Sequence, residues 1–160
     1  MRILAPFLLL LLAACSLQPV YSGGNTGGAQ TTLGAIEVSP IPEKTGFLVR
    51  DRLLQRMPAS EVARYRLDVV LDDDIIGFGV RGDNSIIRER RTLRARYRLV
   101  EIGTDKVLLD TTAVADAGID VVSSEYAVVA AEATAVERLS RDIADQIVAR
   151  LALMGSTATR

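Results

Sequence analysis

Two groups of side chains in this sequence could do chemistry: one cysteine near the amino end and a dense row of arginines in the middle. Cys15 follows residues 1–14, MRILAPFLLLLLAA, in which Arg2 gives a positive start, a leucine-rich run follows, and Ala13 and Ala14 precede the cysteine. A basic end, an apolar stretch of roughly 7–15 residues and small residues at the cut make a secretory signal. The apolar run is shorter than the about 20 residues of a membrane-spanning helix. A thiol placed directly after the cut is the nucleophile needed for thioether attachment of a diacylglyceryl group. Cys15 is therefore the expected lipidation site and the first residue of the mature chain. Each acyl chain contributes about 0.8 kcal/mol per buried CH₂, so two or three chains anchor stably where one is marginal. Ser16 stands where an aspartate would signal inner-membrane retention. The expected location is the periplasmic face of the outer membrane.

The arginine row is Arg88, Arg90, Arg91, Arg94, Arg96 and Arg98, with Arg64 and Arg66 on what should be the adjacent strand. In residues 93–99, Leu93, Ala95, Tyr97 and Leu99 alternate with arginines, which places Arg88, Arg90, Arg94, Arg96 and Arg98 on the face opposite the core. Guanidinium grips phosphate or carboxylate bidentately, so the row suits a phosphorylated glycolipid or an acidic partner. A solvated sheet face, with Asp68 and Glu101 pairing part of the charge, is the other reading.

Other motifs carry less. Gly77-Phe-Gly79-Val-Arg-Gly82 spells the dinucleotide pattern, but that pattern requires a following helix, and a strand follows. The glycines are expected to serve a hairpin loop. Asp72-Asp-Asp74 lacks the spacing of a calcium loop and reads as a solvated strand edge that discourages edge-to-edge pairing. The chain has no histidine, and its single cysteine is consumed by the lipid, so no catalytic or metal-ligating residue is assigned, no cofactor is expected, and the reading is of a non-enzyme. The formal net charge of −1 points to no nucleic-acid partner.

The elements that position these groups follow from periodicity. Residues 15–32 hold the lipidated amino end and a Gly/Thr-rich flexible tether, residues 33–155 one domain, and residues 156–160 a tail. A short strand over residues 33–38 is broken by Pro40 and Pro42. Residues 43–57 show helical spacing of Val49, Leu53 and Met57, ended by Pro58. Strands follow at residues 65–71, at 93–99 and from 107, joined too tightly for parallel crossovers. Residues 126–153 form an amphipathic helix with an apolar stripe of Val136, Leu139, Ile143, Ile147 and Leu151, capped by Ser124 and stopped by Gly155. The order β-α-β-β-β-α predicts an α+β two-layer sandwich, a four-stranded, mostly antiparallel sheet with two helices on one face.

Cys15-Ser-Leu-Gln-Pro19-Val-Tyr21 resembles the mature start of the lipopolysaccharide-assembly lipoproteins (LptE), Cys-Gly-Phe-x-Pro-Leu-Tyr. Ser16, Leu17 and Val20 depart from that pattern; Cys15, Pro19 and Tyr21 keep it. Ser124-Glu-Tyr126-Ala and the alanine-rich helix running into Arg138 are similar to alphaproteobacterial members, as is the element order. The resemblance implies a protein that plugs the LptD outer-membrane β-barrel, assists its folding, binds lipopolysaccharide and helps deliver it to the cell surface, without enzymatic activity. The partners it implies are LptD, lipopolysaccharide and the membrane through the lipid anchor. The alternative is an accessory lipoprotein of an ABC-type intermembrane lipid transporter.

Overall fold

The structure, a computed structural model, describes residues 33–59, 62–80 and 86–157. Cys15, the signal segment and the tether lie outside the described residues. The elements are β1 (Ile36–Val38), α1 (Glu43–Arg56), β2 (Tyr65–Val80), β3 (Ile86–Glu101), β4 (Val107–Asp120) and α2 (Glu125–Thr157). The predicted α+β order is what is found.

The sheet runs β1-β2-β3-β4. β1 is parallel to β2, with α1 making the crossover, while β2, β3 and β4 form an antiparallel meander. Alternation sets the faces. Leu67 and Val69 on β2, Leu93, Ala95, Tyr97 and Leu99 on β3, and Ala113, Ala117 and Ile119 on β4 are buried on one side. Against them pack Val49 and Leu53 of α1 and Leu139, Ile143, Ile147 and Leu151 of α2, recurring at four-residue spacing. Both helices therefore cover one face, and the other is open.

Local chemistry explains the element ends. Ser124 Oγ accepts the Ala127 N–H at 3.4 Å, the expected amino-terminal cap. Met57 N–H bonds the Leu53 carbonyl as α1 closes just before Pro58. The β3–β4 turn uses Gly103 and Asp105 at positive φ, with the Asp105 N–H on the Glu101 carbonyl. Two expectations are corrected. α2 continues through Gly155 to Thr157; glycine lowers helix stability by only about 1 kcal/mol, and Leu151 and Ala152 are still packed there. The hairpin strands also run well beyond the apolar alternation: β2 continues through Gly77 and Gly79, and Val80 pairs with Ile86. Gly82 lies outside the described residues.

Candidate functional site

The candidate site is the open face of the sheet. Register places Arg88, Arg90, Arg94, Arg96 and Arg98 of β3 on this face, as expected, and Arg66 of β2 joins them. The same register brings in Asp68, Asp72 and Asp74 from β2 and Asp110, Asp116 and Asp120 from β4. Arg94 stands opposite Asp72, Arg98 opposite both Asp68 and Asp110, and Arg88 opposite Asp120. The result is a ladder with cations along the middle strand and carboxylates on both flanks. Sequence reasoning found the arginines and Asp68 but missed Asp72, Asp74, Asp110, Asp116 and Asp120 as their counter-charges, although even-numbered positions on all three strands carry the alternation.

Several pairs close directly. Arg96 reaches the two oxygens of Asp110 at 3.0 and 2.7 Å, a bidentate fork. This contact holds the Asp110 carboxyl below its usual range and pushes the Arg96 guanidinium up. Arg88 Nε donates to Asp120 at 3.0 Å. The Arg90 guanidinium lies 5.4 Å from the Phe78 ring centre, within cation–π range. Arg94 and Arg98 make no ion pair of their own among the described residues. Asp68 accepts from the Ser39 hydroxyl at 2.7 Å and from Arg66 at 3.2 Å. The Ser39 bond first, and then Arg66, hold its carboxyl below the usual range against the opposing effect of burial. Glu101, the second expected partner of the arginines, instead accepts the Thr104 hydroxyl at 2.7 Å.

Arg91 is the exception in the row. It faces the helices, where Nε and Nη2 donate to the two oxygens of Asp73 at 2.8 and 2.6 Å. Both side chains are 16% exposed. Thr45 of α1 donates to the same carboxylate at 3.2 Å, so this pair stitches helix to sheet. A cleft of about 290 Å³ opens above it, lined by Lys44, Leu48, Val129, Glu132 and Val136 among others. Asp72–Asp74 thus divides: Asp73 turns inward and is paired, while Asp72 and Asp74 face outward on a strand whose other edge β1 covers only as far as Leu67.

A family model of lipopolysaccharide-assembly proteins, LptE, matches residues 33–151. The chain belongs to the LptE family. An uncharacterised protein of Rickettsia prowazekii (strain Madrid E) is 27% identical over 149 residues, covering 89% of this chain and 90% of that protein. The fold is shared with a chain classed as a lipoprotein from Caulobacter crescentus CB15, at TM-score 0.66 and 23% identity over 82% of this chain and 97% of that one. It is shared too with rare lipoprotein B of Shewanella oneidensis, at TM-score 0.62 and 13% identity over 79% and 98%. The LptE match takes in all four strands, α1 and most of α2. No helix among the described residues is long and apolar enough to cross a membrane.

Proposed function

We infer that this LptE-family chain is the lipoprotein that plugs the LptD outer-membrane barrel, assists its folding and helps deliver lipopolysaccharide to the cell surface. In this reading a lipid on Cys15 holds the domain at the periplasmic face of the outer membrane. The supporting observation is the open face: a charged sheet surface on a small body whose opposite face is occupied by helices. A barrel lumen is polar and lined by strands, and a surface of alternating guanidinium and carboxylate groups is compatible with it. Arg94 and Arg98, which close no direct ion pair among the described residues, are the groups best placed on this face to meet lipopolysaccharide phosphates or barrel carboxylates.

The test is gentle solubilisation of native membranes with a tagged full-length chain. An equimolar complex with a large outer-membrane barrel, together with loss of surface lipopolysaccharide on depletion, supports the reading. Recovery of an inner-membrane ATPase system and altered phospholipid asymmetry would replace it with the transporter-accessory role. Mass spectrometry of the amino-terminal peptide reads the lipid on Cys15 directly; a chain still starting at Met1 without hydrocarbon removes the anchor.

A further inference from the structure

β4 is a 14-residue edge strand. Among the described residues only β3 pairs with it. Which of its backbone groups face outward follows from two contacts. Val121 N–H bonds the Ile87 carbonyl, in the same register as the rest of the β3–β4 pair, so odd-numbered residues of β4 exchange hydrogen bonds with β3 and even-numbered ones point away. Gln146 of α2 donates its side-chain amide to the Val114 carbonyl at 3.2 Å, which places an even-numbered carbonyl on the outer edge. The outward groups thus belong to Asp110, Thr112, Val114, Asp116, Gly118 and Asp120. Those are also the residues whose side chains lie on the open face, and their charges are all negative.

An edge of unpaired donors and acceptors is a template for another strand. Its side chains decide which strand. A second β4 would set aspartates against aspartates, and like charges directly opposite are destabilising. β3 shows what the row accepts, since Arg88, Arg96 and Arg98 are its partners on the inner side. We propose that the outer edge of β4 takes up an extended polypeptide segment as a fifth strand, selecting one with arginine or lysine at alternate positions. Gln146 then acts as a placeholder, occupying the Val114 carbonyl until a backbone N–H of the incoming segment replaces it. The proposal rests on the sheet edge alone and does not depend on the lipopolysaccharide role.

The experiment uses the full chain in mild non-ionic detergent with a synthetic peptide of alternating arginine and threonine or valine, and an otherwise identical peptide with glutamate for arginine. Hydrogen exchange of residues 110–120 should slow by about tenfold or more with the arginine peptide. It should be unchanged with the glutamate peptide, and the effect should fade as salt rises well above 0.1 M. Val114→Pro removes an outward N–H without touching the β3 ladder and should abolish the protection. Asp116→Asn, at an exposed site that leaves the Arg88 and Arg96 pairs intact, should weaken it by about threefold. No protection with the arginine peptide, equal protection by the glutamate peptide, or protection that arises only from self-association of the chain would overturn the proposal.

Discussion

Asp73 and Arg91 meet diagonally across β2 and β3 on the helix-facing side of the sheet, each 16% exposed, with Thr45 of α1 on the same carboxylate. Here the apolar interior ends and a polar clasp takes over. Removing one partner leaves a poorly solvated charge, so Asp73→Asn or Arg91→Met is expected to cost about 1–3 kcal/mol in urea unfolding. Replacing both with apolar residues, Asp73→Leu with Arg91→Met, should cost less than the two single changes together. Strict additivity would show that the pair does not act as a unit.

Ser39 ties the end of β1 to Asp68. Because the Asp68 carboxyl is held below its usual range, its contribution is present above the unfolded carboxylate pKa and lost as pH falls through the lower folded value. Ser39→Ala should destabilise the fold by about 1 kcal/mol at neutral pH. The gap to the parent should close as pH drops below the carboxylate range. Urea melts across that range read it, and a gap independent of pH would refute the linkage.

Gly46 is buried on α1, and a Cβ there would lie 2.7 Å from Ile41 Cγ2 and 2.8 Å from the Ile41 carbonyl oxygen. The backbone contact cannot swing aside. Gly46→Ala, which helix propensity alone would favour by about 1 kcal/mol, is expected instead to destabilise by about 1–3 kcal/mol. A raised thermal midpoint would show that the Ile41 segment yields.

On the open face, the combined change of Arg94, Arg96 and Arg98 to glutamine tests the partner reading. Stability should move by less than about 1 kcal/mol, as is usual at exposed sites, while retention of the barrel or of lipopolysaccharide falls. Circular dichroism melts beside co-purification separate the two effects. Undiminished capture would remove these arginines from the binding surface.

The element order and core were legible because burial leaves a periodic trace. Leu139, Ile143, Ile147 and Leu151 could only be one stripe of a helix, and Leu93 to Leu99 only one face of a strand. The distal hairpin was not legible, since Asp73, Glu89 and Arg91 occupy inward positions there and interrupt the alternation. The candidate site was half legible. A run of arginines announces itself in one segment, but its counter-charges come from two other strands, and only register shows that Asp72 and Asp110 flank Arg94 and Arg98. The amide of Gln146 on a strand carbonyl leaves no mark in sequence at all.

The three-stripe arrangement of charge has a consequence for how a binding partner is sorted. Seen from a distance, the opposing rows cancel, so the surface exerts little long-range pull and salt should scarcely change how fast a partner arrives. At contact the same surface is corrugated. Displacing a docked sheet sideways by one strand spacing, about 4.8 Å, would turn every attraction into a repulsion. Such a face ignores most of what drifts past and rejects what lands out of step.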